Sequence, residues 1–395
     1  MAGGDVVIVG GSLGGLHTAE ALRGQGWTGA ITVVDTEPEP RYDRPPLSKQ
    51  YLGAGTSVDE KLLRAPQDLD ALGLDWRLGE RAVRLRPAEH RIDLAGGDTL
   101  GFGKLVIATG VRAVWPPALR VPAALTLRTR DDAARLRAEL APGVRLVVVG
   151  AGFIGLEVAA TFRAAGAEVD VIETEQAPLT RQLGPEVGRA LQRLHEAHGV
   201  RFHLGTRAAS AVPAGDGCRV ELSDGRRLDA DVLLVAIGSV PAVDWLADSG
   251  LTLDNGVVCD TRLAAAPDVF AVGDVVRWTH PMTGRTTRIE HWTNAVEQAA
   301  HVARHIIAPD GGHAPFGTVP YFWSDHYGSR VQAHGFVSGE HELELLDGEL
   351  DGGRFAALYR RDGRITGVVG LDNPRQVLAG RRRVVADLTA EEALS

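Results

Sequence analysis

The sequence predicts an α/β chain in which a parallel strand–helix–strand unit occurs twice and a smaller α+β domain follows. Three observations carry this. Two stretches, Val6 to Asp35 and Val144 to Glu173, share one order of apolar strand, glycine turn, helix, apolar strand and terminal acid. Two further apolar runs, Leu105 to Gly110 and Asp231 to Gly238, end in glycine and suit strands buried on both faces of a parallel sheet. The tail from about Phe316 changes character, with FAALYRRDGRITGVVG reading as a hairpin around Asp362-Gly363 and PRQVLAGRRRVVADL as a helix.

Each element follows in turn. In the first copy DVVIVG is a short β-branched strand, GGSLGG a turn, LHTAEALRGQG a helix closed by glycine, and AITVVD a second buried strand. In the second copy VRLVVVG, AGFIG, LEVAATFRAAG and AEVDVIE repeat that order, so each copy is a right-handed parallel crossover. Loops at Arg112 to Pro122 and Asp310 to Gly312 carry the proline and glycine expected of joints between domains. The expected division is 1–110, 111–234, 235–312 and 313–395.

The bulk numbers fit a soluble globular protein of more than one domain. With 395 residues, 44% hydrophobic and 24% charged, the chain can bury two or three cores. No apolar run reaches the roughly 20 residues needed to cross a bilayer, and the start enters a strand directly, so a cytoplasmic location is expected. A net charge of -9 disfavours nucleic acid as the main partner. The two cysteines, Cys218 and Cys259, leave no disulfide framework or thiolate cluster, and the 13 histidines show no metal-ligand spacing, so no metal is expected.

The glycine turns carry the chemistry. Gly150, Gly152 and Gly155 complete a G-x-G-x-x-G: the first permits the turn, the second lets backbone approach a pyrophosphate, and the third lets helix meet strand. Glu173 follows at 173 − 150 = 23 positions, where a carboxylate accepts hydrogen bonds from an adenosine ribose and repels a 2′-phosphate, which favours NADH over NADPH. The first copy has Gly10, Ser12 and Gly15, with Gly14 giving room at the helix start. Serine allows the same close approach if its φ is negative, and Asp35, Thr36 or Glu37 supplies the ribose acceptor. Two such sites in one chain imply electrons passing between two bound dinucleotides, one of them resident.

These residues resemble the FAD- and NAD-linked reductases of the putidaredoxin reductase type, which feed ferredoxins of ring-hydroxylating dioxygenases and cytochrome monooxygenases. The resemblance rests on VGGSLGGLHTAEALR, YDRPPLSKQYL (Tyr42 to Leu52), VVVGAGFIGLEVAA (Val147 to Ala160), VFAVGDV (Val269 to Val275), EHWTNAVEQA (Glu290 to Ala299) and VPYFWSDHYG (Val319 to Gly328), in that order along nearly the whole chain. It implies two Rossmann-like dinucleotide-binding domains in the glutathione-reductase-like architecture, the FAD domain interrupted by the NAD domain. It also implies FAD contacts at Arg44, Lys49, Ala82, Arg128 (or Arg130), Gly238, Asp274 and Trp292. The catalytic pair it implies is Lys49, near the reactive end of the flavin, with Glu157 reaching toward the nicotinamide. Tyr321, Phe322 and Trp323 match an aromatic segment that is either cofactor wall or core. Plainer structural roles for three of these are a helix cap at Asp274, first-turn charge at Glu157 and a solvated side chain at Lys49.

Disulfide reductases of related fold keep a C-x-x-x-x-C pair soon after the first glycine motif, and neither cysteine here lies there. Electrons must therefore leave without a protein thiol. The resemblance implies NADH reducing FAD, then single electrons passing to a [2Fe-2S] ferredoxin, an acidic partner docking on local arginines. Candidates are Arg277, Arg285 and Arg288, and Arg381, Arg382 and Arg383. Rubredoxin reductase, flavin NADH oxidase and a redox-sensing interaction protein like apoptosis-inducing factor are the alternatives. Monomer and homodimer are both compatible with the chain.

Overall fold

The computed structural model describes residues 5–38, 41–53, 57 and 61–389. The chain divides into two compact units, one of Met1–Asp43, Lys61–Arg112 and Val240–Pro320, the other of Arg44–Glu60, Ala113–Ser239 and Tyr321–Ser395.

The first unit is built on a six-stranded sheet, in the order Ala264–Ala266, Val269–Ala271, Lys104–Ile107, Val6–Val9, Ile31–Asp35, Asp75–Leu78. All neighbours are parallel except the first pair. All four residues of VVIV are buried, because this strand has neighbours on both edges and is covered on both faces. The helix Leu13–Gly24 turns Leu16, Ala19 and Leu22 inward at helical spacing. It stops at Gln25 and Gly26, the latter at φ +89°. The helix Trp292–Ile307 packs against it. Chain connections run to opposite sides of Val6–Val9, which makes its carboxyl end a topological switch point.

The second unit repeats the plan with a five-stranded parallel sheet, ordered Arg201–His203, Glu168–Ile172, Arg145–Val149, Val232–Val235, Ala124–Leu125. The run read as a strand to Gly238 pairs only over Val232–Val235; Gly238 lies beyond it at φ +112°. An antiparallel three-stranded sheet, Ala208–Ala214, Gly217–Leu222 and Arg227–Ala230, closes one face by burying Ala211, Cys218, Val220 and Leu222 against Val147, Val149 and Leu233.

The C-terminal part of this unit is a five-stranded antiparallel sheet, ordered Tyr321–His326, Ser329–Gly335, Arg364–Leu371, Arg354–Arg361, Glu342–Glu349. The Asp362-Gly363 hairpin expected from the sequence is present, with both residues at positive φ. The helix Pro374–Thr389 lies on the sheet, close enough that a Cβ on Gly380 would come within 2.6 Å of Val368. Phe316, where the sequence pattern changes, packs in the first unit beside Trp278. The segment from Arg44 packs in the second: Thr161 donates to the Ser48 carbonyl, and Arg137 lies over the Tyr51 ring.

Candidate functional site

The two glycine turns adopt the same geometry. Gly10 and Gly150 sit at φ +104° and +101°, and a Cβ on either would strike a carbonyl oxygen, of Ala108 at 2.3 Å and of Ala236 at 2.5 Å. Gly15 and Gly155 let the helix approach the turn: their added Cβ atoms would lie 1.9 Å from the Gly10 oxygen and 2.3 Å from the Gly150 oxygen. The middle position differs in kind. Nothing lies within 4 Å of a Cβ on Gly152, so the space in front of it is open. Ser12 takes its place in the first copy at φ -78°, ψ -156°, beside -79° and 179° for Gly152, the negative φ that a serine needs. Gly14 has the Val272 side chain 3.2 Å from where its Cβ would stand.

The acids that close the second strands clamp these turns alike. Asp35 accepts from the Gly11 amide at 2.6 Å and the Glu37 amide at 2.9 Å. Glu173 accepts from the Ala151 amide at 2.8 Å and the Glu175 amide at 3.0 Å. Asp35 is therefore the residue-for-residue counterpart of Glu173. Arg41 also donates to Asp35, at 2.7 Å. The Glu37 carboxylate instead accepts from the Tyr42 hydroxyl at 2.7 Å, and Thr36 follows the strand end.

Other residues singled out in the sequence fall around these turns within each unit. Asp274 is the middle residue of a three-residue 3-10 turn, Gly273–Val275, and a strand follows it, so it does not cap a helix that begins after it in sequence. Its carbonyl accepts from Arg288, and the Gly273 amide donates to Gln298 at 2.7 Å. Trp292 opens its helix, and its indole N–H donates to Asp43 at 2.9 Å, with His17 edge-on at 6.0 Å. Ala82 is buried at the start of the Ala82–Arg86 strand. Arg44 donates to the Arg128 carbonyl at 2.6 Å, which brings those two together in the second unit, while Arg130 begins the helix capped by Thr129. Trp323 stacks on Tyr321 at 5.8 Å, and Phe322 packs on Phe153.

The second unit also holds a buried ion pair. Lys49 Nζ lies 2.7 Å from Glu157 Oε2, with side chains only 11% and 5% exposed. The lysine is positioned by Pro45–Ser48, a 3-10 turn begun by two prolines that preset φ, and donates also to the Pro45 carbonyl. Glu157 is the fifth residue of helix Phe153–Ala164, so it lies past the first turn, and the reading of it as first-turn charge is wrong. Its carboxylate is spent instead on Lys49, on Ser48 Oγ at 2.5 Å and on Ser324 Oγ. The solvated-lysine reading of Lys49 fails with it. Ser48 and Ser324 were missed by sequence reasoning: serines are common and carry no spacing signal, and Ser324 lies 167 positions from Glu157.

The arginines divide by exposure. Arg288 is 11% exposed and paired with Glu290, so it is not offered at the surface; Arg277 pairs with Asp254; Arg285 and Arg381 to Arg383 are exposed. Cys218 and Cys259 are buried free thiols whose pKa values burial raises.

Paired turns of this kind, each closed by a clamping acid, define an oxidoreductase of the two-dinucleotide class. Residues 4–299 match the pyridine nucleotide-disulphide oxidoreductase family and residues 321–394 the reductase C-terminal family. The chain is 34% identical to rhodocoxin reductase of Rhodococcus erythropolis, over 98% of this chain and 91% of that one. It is 38% identical to the ferredoxin reductase component of chlorobenzene dioxygenase from Cupriavidus sp. (strain PS12), over 98% and 94%. It superimposes on the reductase in a covalent putidaredoxin reductase–putidaredoxin complex with a TM-score of 0.92 at 31% identity, covering 98% and 94% of the two chains. The chain belongs to the pyridine nucleotide-disulphide oxidoreductases, and among them to the ferredoxin reductases of the putidaredoxin reductase type. Among the described residues no helix is long and apolar enough to cross a membrane.

Proposed function

We propose that this protein is an NADH-dependent ferredoxin reductase that holds FAD in the Gly10 turn and NADH in the Gly150 turn, and serves a monooxygenase or ring-hydroxylating dioxygenase. On this reading 1–110 and 235–312 form the FAD domain, 111–234 the NAD domain, and 313–395 the C-terminal domain, except that the segment 44–60 packs with the second unit and 313–320 with the first. The observation that carries it is the duplicated, acid-clamped glycine turn in a chain that matches reductase components of oxygenase systems from end to end.

The residues present fit the two cofactors. The open space before Gly152 leaves its turn free for a pyrophosphate, and the extended Ser12 gives the first turn the same shape. Asp35 and Glu173 each keep carboxylate oxygens at the strand end where ribose hydroxyls are recognised, so Asp35, rather than Thr36 or Glu37, is the first site's ribose ligand. The negative charge of Glu173 favours NADH over NADPH. FAD, when bound, supplies the conversion between a two-electron hydride donor and a one-electron acceptor. Within the second unit Lys49 is a positive charge fixed by Glu157 and the Pro45 carbonyl, and within the first unit Trp292 is held in place by its hydrogen bond to Asp43. Both thiols are buried, which favours an external carrier over a disulfide relay. An acidic [2Fe-2S] ferredoxin suits the exposed arginines, with Arg288 removed from that set.

The test is a stopped-flow experiment on the purified yellow protein, reduced with NADH and mixed with a [2Fe-2S] ferredoxin, with rubredoxin or with oxygen alone. Fast reduction of the ferredoxin is expected. Faster reduction of rubredoxin, or rapid oxygen consumption without a carrier, would replace the assignment with one of the alternatives. A polypeptide that takes up no FAD would end it.

A further inference from the structure

Glu157 is the inner end of a row of buried polar groups. Its Oε1 accepts from Ser324 Oγ; Ser324 Oγ lies 3.0 Å from His326 Nε2; His326 Nδ1 lies 3.3 Å from His195 Nε2; and His195 Nδ1 lies 3.1 Å from the Tyr327 hydroxyl. Ser324, His326 and His195 are all 0% exposed. Tyr327 is half-buried, and its ring stacks on the exposed His198 at 3.7 Å and 4°. Every group in the row belongs to the second unit.

His326 and His195 bond to each other and to two hydroxyls, and a single direction of donation satisfies every link. With Glu157 ionised, Ser324 donates to it, His326 donates through Nε2 to Ser324, His195 through Nε2 to His326, and Tyr327 to His195 Nδ1. Both rings are then neutral, in the same tautomer. Burial, and Lys49 facing His326, hold that histidine down at about 3; burial, with His326 and His198 facing it, holds His195 well below its ordinary value. The backbone builds the outer end: Tyr327 and Gly328 take positive φ of 53° and 85° in the turn between the Tyr321–His326 and Ser329–Gly335 strands, which brings the Tyr327 hydroxyl to His195. His195 continues the buried face Val187, Leu191, His195 of its helix, where an apolar residue would be ordinary.

We propose that Ser324, His326, His195 and Tyr327 form a proton conduit between the Lys49–Glu157 pair and the protein surface. The need for one follows from the proposed function, on which this inference rests. NADH plus two oxidised ferredoxins gives NAD+, two reduced ferredoxins and one proton, and that proton must reach water. The outward step starts from the opposite set of donors, with Ser324 donating to His326 Nε2, His326 Nδ1 to His195 Nε2, His195 Nδ1 to the Tyr327 oxygen and Tyr327 to water. Lys49 gives a proton to Glu157 and takes up the one proton that the overall reaction releases, so its charge is unchanged. Glu157 passes the proton to the Ser324 oxygen as the Ser324 proton moves to His326 Nε2. The His326 Nδ1 proton moves to His195 Nε2, the His195 Nδ1 proton to the Tyr327 oxygen, and the Tyr327 proton to water. Each group gains and loses one proton, and the row is left with all donors pointing inward, the arrangement that an ionised Glu157 requires. Rotation of the hydroxyls and exchange of tautomers then reset it. Arg163 is the other charged group that faces the outer end.

Two measurements test this. The first is 15N NMR of histidine-labelled protein with and without FAD: Glu157→Gln is expected to shift the ring nitrogens of both His326 and His195, and Tyr327→Phe those of both from the other end. Shifts confined to the nearer ring would overturn the conduit whatever the flavin does. The second follows proton release by an indicator dye in lightly buffered solution, alongside ferredoxin reduction. In the unaltered protein the two are expected to coincide; in Ser324→Ala and Tyr327→Phe the proton should lag by about tenfold or more. Tyr327 is at the partly exposed end, so its variant remains informative should Ser324→Ala fold poorly. Coincident release in both variants overturns the proposal. Linked histidines in a protein that binds no FAD would count against the cofactor assignment alone.

Discussion

At the scale of single residues, the Lys49–Glu157 pair shows how a sequence clue and its physical meaning can separate. The scarcity of lysine and the family resemblance single out Lys49 with Glu157, but only the structure gives their 2.7 Å contact and the two serines that hold the glutamate. Removing one member of a buried pair leaves an unpaired charge, so Glu157→Ala should cost about 3 kcal/mol in denaturant unfolding, and Lys49→Met/Glu157→Leu should recover much of it. A double-mutant cycle with no coupling would show that the pair does not hold the segment in place. Glu173 makes a second prediction: Glu173→Ser removes the charge facing a 2′-phosphate and should raise kcat/KM for NADPH relative to NADH by roughly tenfold. An unchanged ratio would locate the preference elsewhere.

At the scale of elements, the glycine turns separate backbone need from ligand need. Gly155→Ala places a Cβ 2.3 Å from the Gly150 oxygen and should lower stability and NADH binding together. Gly152→Ala meets nothing within 4 Å in the protein, so the thermal midpoint should stay within a few degrees while the Kd for NADH rises at least tenfold; calorimetry and nucleotide titration read the two separately. Both turns and their acids were legible in the sequence, because apolar runs, glycine spacing and a terminal carboxylate are local patterns. What was not legible is what long-range packing brings together. His195 and His326 lie 131 positions apart, on a helix and a strand whose own patterns give no hint of meeting. That Asp35 and not Glu37 is the counterpart of Glu173 likewise needed the Gly11 amide, 24 positions away, to be seen donating to it. The same holds for the segment from Arg44, whose sequence neighbours belong to one unit and whose packing partners belong to the other.

For the whole molecule, acid sensitivity follows from histidines folded in the neutral form. Burial depresses His280, His291, His301 and His334 to about 4 and His326 to about 3. A pKa lower in the folded chain than in the unfolded one gives stability that is complete above about 6.5 and lost as pH falls toward the folded value. Asp170 adds to this lower down: burial raises it, but hydrogen bonds from His203 and Arg201 outweigh burial and hold it at about 2, so its share is lost between about pH 4 and 2. The unfolding free energy from denaturant titration should therefore fall steeply from pH 6.5 to 4, by up to roughly 1.4 kcal/mol per pH unit for each such histidine. A flat profile over that range would show that these rings are reached by water.

The two sealed thiols give the molecule an experimental convenience. Burial raises both, so neither is ionised or reachable at neutral pH, and a maleimide or Ellman reagent should find close to none in the native chain and both after denaturation. A cysteine introduced at an exposed position such as Val212 would then be the single attachment point for a fluorophore or spin label, with the wild-type thiols left in place.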